Sequence, residues 1–115
     1  MGEQTILHDI RHVNGGVAAA VTGEIGFARS PQLRQELIEL IGEHKPARLV
    51  LDMAAVPYMD SSGVATLVEA MQQQRQRQAS LVLFGMQPRV KSVFEIARLD
   101  LVFKIVPDLE AAVAQ

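Results

Sequence analysis

The chain reads as an α/β domain with a mixed, mostly parallel sheet and helices packed on it, in the order ββαβαβαβα. Three observations carry that reading. Short apolar runs at 17–21, 48–52 and 80–85 have strand length, while the stretches between them repeat apolar residues at helical spacing. Strands and helices alternate with short connections, and right-handed crossovers turn such units into parallel pairs. Asn14-Gly15-Gly16 separates two strand-like segments with residues that tolerate positive φ, so the first strand should return antiparallel to the second.

Composition bounds the function before any motif is read. The 115 residues fit one domain spanning the whole chain, 1–115, and a domain of this size buries roughly 60 to 70 per cent of its unfolded surface. With no cysteine there are no disulfides, thiolate zinc sites or cysteine nucleophiles. The N-terminal Met1-Gly2-Glu3-Gln4-Thr5 does not resemble a leader, and no apolar run approaches the roughly 20 residues of a membrane helix. These features predict a soluble, cytoplasmic protein with no direct membrane insertion. The formal net charge is only −2, its signs are interspersed and aromatics are scarce, so neither phosphate-backbone binding nor base stacking is expected, and nucleic acid is not a partner.

Taken in order, residues 5–13 form an edge strand on which Ile6, His8, Ile10 and His12 share one face and Leu7, Asp9, Arg11 and Val13 the other. Val17-Ala18-Ala19-Ala20-Val21 is apolar throughout, as a strand covered on both faces requires. After a glycine-bearing loop, Ser30-Pro31 predicts an N-cap and a first helical proline; Leu33, Leu37, Leu40 and Ile41 form the buried stripe, and Gly42 with Pro46 the stop. A strand at 48–52 follows, and Pro57 forces a loop before the next helix. Val64, Leu67, Val68 and Met71 give that helix one apolar face. Beyond Met71 the stripe is lost, so 72–78 should be a solvated last turn whose arginines complement the helix C-terminus. A strand at 80–85, a helix from Gln87-Pro88-Arg89 with Val90, Val93, Phe94 and Ala97 in register, a strand at 102–106 and a short helix burying Leu109, Ala112 and Val113 complete the chain.

In parallel sheets, functional groups gather beyond the carboxyl ends of the strands. Three loops fall there and should adjoin: Glu24 to Phe27, Asp60 to Gly63, and Met86-Gln87-Pro88. Asp60, Ser61 and Ser62 are all residue types that cap a helix, and a capped helix is the plain reading of the string. A serine nucleophile would need a base and an orienting acid, but His8, His12 and His44 lie off these loops, and the string lacks the glycine of a nucleophile elbow. No His or carboxylate spacing suggests a metal site, and Ser62-Gly63 has neither the glycines nor the lysine of a P-loop. No cofactor is expected. What remains is a serine that is acted upon: a phosphoryl group on Ser61 would add roughly −1.5 to −2 charges where a partner meets a small hydroxyl.

The strings Thr22-Gly23-Glu24-Ile25, Tyr58-Met59-Asp60-Ser61-Ser62-Gly63-Val64, Phe84-Gly85-Met86-Gln87-Pro88-Arg89-Val90 and Phe94-Glu95-Ile96-Ala97-Arg98-Leu99 resemble the STAS domain family, specifically bacterial anti-sigma factor antagonists, element by element across the chain. The resemblance implies a STAS fold and a regulator without catalysis of its own. It further implies that the unphosphorylated domain binds an anti-sigma factor with a histidine-kinase-like ATP-binding fold, that this partner phosphorylates Ser61, and that a serine phosphatase resets the switch. Glu24, Gly26, Met59, Asp60, Ser62, Gly63, Met86, Gln87, Pro88 and Arg89 would form the partner surface, with Asp60 holding the loop and Ser62 and Gly63 shaping the helix start. After the glycine–glutamate–aliphatic turn the family commonly carries an aspartate facing the phosphorylation site, whereas this chain has Gly26. Similar single domains also serve as non-switched scaffolds of stress-signalling complexes and as cytoplasmic subunits of lipid-transporting ABC systems, which are the rival readings.

Overall fold

The computed structural model of the chain describes residues 4–114, so Met1, Gly2 and Glu3, on which the leader reading partly rested, lie outside the described residues. The elements are β1 (Leu7–Val13), β2 (Gly16–Thr22), α1 (Ser30–His44), β3 (Arg48–Ala55), α2 (Ser61–Gln76), β4 (Ser80–Phe84), α3 (Pro88–Ile96), β5 (Lys104–Val106) and α4 (Leu109–Val113), with a 3-10 turn at Leu99–Leu101. The five strands lie in the order β1-β2-β3-β4-β5. β1 is antiparallel to β2, and every later neighbour is parallel.

Strand alternation sends side chains to two cores. Val17, Ala19 and Val21 of β2, Leu49, Leu51 and Met53 of β3, and Leu81 and Leu83 of β4 meet the apolar stripes of α1, α2 and α3 on one face. Ala18, Val50, Val82 and Phe84 point the other way, toward Ala112 of α4. β2 is therefore covered on both faces, as its unbroken apolar run predicts. The edge strand β1 is held at its start by a side chain of α1: the Glu36 carboxylate accepts the Ile6 amide at 3.0 and 3.1 Å and the Leu7 amide at 2.8 Å. A carboxylate thus satisfies edge amides that no strand pairs.

Several local expectations are corrected. On β1 the two faces do not alternate cleanly, because a bulge between His8 and Arg11, with Asp9 at φ 53°, resets the side-chain direction. Ile6, just ahead of the strand, and Leu7, its first residue, are both buried. Ser30 is not the N-cap of α1. A turn in which Gly26 O accepts from the Arg29 and Ser30 amides already coils the chain, and Arg29 takes the cap position. Gly42 does not stop α1 either; the helix runs to His44 and ends at Lys45 in the left-handed region (φ 43°), ahead of Pro46.

β3 extends past Asp52 to Ala55, since Met53 keeps the inward alternation and Thr22 pairs with Ala55 beyond a bulge. The last strand starts at Lys104 instead of 102, because the Val102 and Phe103 amides both bond to Leu99 O in the 3-10 turn. Phe103 turns inward and meets Phe94 edge to face at 5.3 Å. The last turn of α2 is not wholly solvated. Gln74 is fully buried and donates from Nε2 to Pro46 O (3.0 Å) and Ser80 O (2.8 Å), while its Oε1 accepts from Arg77 at 2.8 Å.

Candidate functional site

The site begins where β3 leaves the sheet. The Val56 amide bonds to Met53 O in a turn, and Pro57, which has no N–H to donate, then releases the backbone from the ladder. The chain next pairs once more, with the loop between β2 and α1: Ile25 N donates to Tyr58 O at 2.9 Å, and Asp60 N donates to Ile25 O at 3.2 Å. Two of the three carboxyl-end loops are thereby joined by backbone. The third is joined through a side chain, since Gln87 donates to Ala54 O at 2.9 Å. The first two loops therefore adjoin as expected, while the third is tied to the end of β3 that leads into them.

Asp60, in extended backbone conformation, is the N-cap of α2. Its Oδ1 accepts from the Ser62 amide (2.9 Å), the Gly63 amide (3.3 Å) and the Ser62 hydroxyl (2.6 Å). Its Oδ2 reaches across and accepts from the Phe27 amide at 3.1 Å. One carboxylate thus satisfies free donors of a helix start and fixes a neighbouring loop. The Ser62 hydroxyl above all, and then the Gly63, Ser62 and Phe27 amides, hold the Asp60 carboxyl below the usual carboxylate range, against a desolvation that works the other way.

The three residues that looked alike as caps are now distinct. Asp60 is the cap, and Ser62, half-buried, has its hydroxyl committed to Asp60. Ser61 is exposed at the first helical position, and no hydrogen bond engages its side chain among the described residues. Gly63 is buried with no room for a side chain: a Cβ there would lie 2.8 Å from Met59 Cγ and 2.9 Å from both Ile25 Cγ2 and Ile25 O. This glycine lets the first turn of α2 close onto the Ile25–Met59 bridge. At Gly26 a Cβ would stand 3.3 Å from Asp60 Oδ2, so a side chain at this position would press on the outer oxygen of the cap.

The residues expected on the partner surface divide by burial. Glu24, Pro88 and Arg89 are exposed, and Gly26, Asp60, Ser62, Met86 and Gln87 are half-buried. Met59, at 1% exposure, and Gly63 belong to the core and support the surface from below. Two residues outside that set stand out: Phe27 is 83% exposed and Tyr58 is 42% exposed, both beside the cap. Phe27 lies in a loop that the sequence places at the carboxyl end of the sheet, but the bond of its amide to Asp60 has no sequence signature. A groove of about 850 Å³ lined by Thr5, His8, Thr22, Arg29 and Gln32 lies on the β1 side of the same loop and includes neither Asp60 nor Ser61.

This arrangement presents a hydroxyl on a rigid, well-capped helix start, with no histidine beside it. Comparison with known proteins agrees with the fold. The STAS domain matches residues 9–112. An anti-sigma-B factor antagonist of Listeria monocytogenes is 38% identical over 85 residues, which cover 74% of each chain. Among solved structures, an anti-sigma factor antagonist from Mycobacterium paratuberculosis superposes with a TM-score of 0.82 at 23% identity, over 91% of this chain and 88% of that one. The phosphorylated form of the Bacillus cell fate determinant SpoIIAA does so with a TM-score of 0.66 at 19% identity, over 90% and 94%. The chain belongs to the STAS domain family, whose anti-sigma antagonists are regulators and not enzymes.

Proposed function

We propose that this protein is an anti-sigma factor antagonist, which in its unphosphorylated form binds an anti-sigma factor of histidine-kinase-like fold and is released by phosphorylation of Ser61. The observation that carries the reading is the division of labour at the cap: Asp60 and Ser62 are tied to each other, and Ser61 alone offers a free, exposed hydroxyl at the start of α2. Relatives named as antagonists support the same reading.

In the phosphorylation step the Ser61 hydroxyl oxygen bonds to the γ-phosphorus of partner-bound ATP, the bond to ADP breaks, and the hydroxyl proton passes to a base. Asp60 is a poor base, with its oxygens occupied by four donors and its carboxyl held below the usual carboxylate range by the Ser62 hydroxyl and backbone amides. The base is therefore a residue of the partner. The product places roughly −1.5 to −2 charges beside Asp60. The open helix end tolerates them, while a partner surface seated on a small hydroxyl would have to bury them uncompensated. A serine phosphatase restores the binding form, and the cycle runs in the cytoplasm.

Titration of the purified anti-sigma partner against Ser61→Ala and Ser61→Asp tests the reading. Ser61→Ala should bind as the wild type does, and Ser61→Asp should bind about tenfold or more weakly, as expected for a desolvated, unpaired charge. Equal affinities would remove the switch. Gly26 favours one second reading, a STAS scaffold that binds its partner without being switched, because the glycine offers the kinase no side chain beside Ser61. That reading predicts a stable complex whose composition ignores every Ser61 substitution.

A further inference from the structure

Phe27 is the exposed large apolar residue nearest the cap that the antagonist reading leaves without a role, its amide bonded to Asp60. A phenylalanine 83% exposed to water is uncommon in a loop this thoroughly fixed. Four sets of bonds hold the loop. Ile25 is paired with the segment 58–60 on both its amide and its carbonyl. Gly26 O accepts the Arg29 and Ser30 amides, at 3.1 and 2.9 Å. The Arg29 guanidinium donates to Glu24 O (2.7 Å) and Thr22 O (3.2 Å), bracing the loop from inside. Finally, the Phe27 amide itself is held by Asp60 Oδ2.

The ring therefore stands in water on a backbone that has already lost its freedom. Binding hot spots are built this way: a large apolar group on a backbone ordered before the encounter buries its area without a further backbone-ordering cost. The surroundings fit an apolar socket better than a charged one. Gly26 contributes no side chain, Ala28 is small, and the half-exposed Tyr58 ring would lie 3.8 Å from a Cβ at Gly26, so apolar surface borders the loop beside the Asp60 cap.

We propose that Phe27 is the aromatic anchor by which this surface seats in an apolar pocket of the anti-sigma partner, with Asp60 as the positioning residue that fixes it next to Ser61. The inference rests on the antagonist reading and adds to it the residue that selects the partner. Because Asp60 caps α2 with one oxygen and holds Phe27 with the other, the anchor and the modifiable serine form one rigid unit.

The test is a titration of each histidine-kinase-like anti-sigma factor of the source organism, purified and loaded with ADP, against wild type, Phe27→Ala, Phe27→Trp and Asp60→Asn. Phe27→Ala should weaken binding about tenfold or more with an unchanged melting temperature, since its ring supports nothing in the fold. Phe27→Trp should restore affinity to within about threefold of wild type, because an open socket for one aromatic takes another. Asp60→Asn keeps the capping oxygen but turns a donor toward the Phe27 amide. It should speed hydrogen exchange at that amide while the amides of Ser62 and Gly63 stay protected, and should weaken binding. Wild-type affinity for Phe27→Ala overturns the anchor, and unchanged exchange at Phe27 in Asp60→Asn overturns the positioning role. If wild type binds none of these factors, the antagonist reading itself falls and the inference falls with it.

Discussion

Asp60 and Gly63 show how much of this surface depends on single atoms. The Asp60 carboxyl, lowered chiefly by the Ser62 hydroxyl and then by backbone amides, releases its proton at lower pH in the folded chain than in the unfolded one. Its contribution to stability is therefore complete above the unfolded value of about 4 and is lost as the pH falls through the lowered folded value. Urea midpoints measured between pH 7 and pH 2 should show less acid destabilisation in Asp60→Asn than in wild type; parallel curves would deny the carboxylate this role. At Gly63 the constraint is steric. An added methyl would meet a backbone oxygen and two buried side chains, so Gly63→Ala should lose about 1–3 kcal/mol, the usual cost of overpacking. Gly42, whose Cβ position is open, should accept alanine without loss, and equal destabilisation of both variants would refute the close approach at Gly63.

Among the elements, α2 joins stability to the proposed switch. Its N-terminus carries Ser61, and its C-terminus inserts Gln74 beneath the start of β4, where the amide nitrogen serves Pro46 O and Ser80 O. Gln74→Leu keeps the bulk but removes the donor from these carbonyls, which should cost about 1–3 kcal/mol. Chemical denaturation followed by circular dichroism would measure it, and a variant as stable as wild type would show the two bonds to be dispensable.

The same helix shows what a linear pattern reveals. The stripe of Val64, Leu67 and Met71 was legible because burial repeats at helical spacing, and the mostly parallel sheet with its antiparallel first strand because short crossovers and a tight hairpin permit few alternatives. Gln74 was not legible. A buried glutamine is recognisable only by the carbonyls it serves, one of them 28 positions away in the chain. The bulge at Asp9 was hidden for the same kind of reason, since a one-residue reset leaves the composition of β1 unchanged. At the site, residue chemistry marked Asp60, Ser61 and Ser62 as cap residues. Which of them caps, which is tied and which stays free was decided by geometry alone.

At the scale of the molecule, the fold places its chemistry on one end. The segment after β3 is bonded to the β2–α1 loop by backbone, and the end of β3 to the start of α3 through Gln87, so the carboxyl ends of three strands are tied together at one end of the sheet. Such a surface suits a switch acting by charge and bulk, because phosphorylation need not rearrange the domain to expel a partner. The contrast is with a switch that works by refolding a segment, for which few loose contacts would be expected here.

The most direct test of the central claim compares the chain before and after the partner has phosphorylated it. The purified protein is incubated with ATP and the anti-sigma factor, the modified position is mapped by mass spectrometry, and both forms are titrated against ADP-loaded partner. The account predicts a single phosphoryl group on Ser61, none on Ser61→Ala, and at least about tenfold weaker binding of the modified form. A phosphoryl group elsewhere, or a modified chain that binds as tightly as the unmodified one, would contradict it.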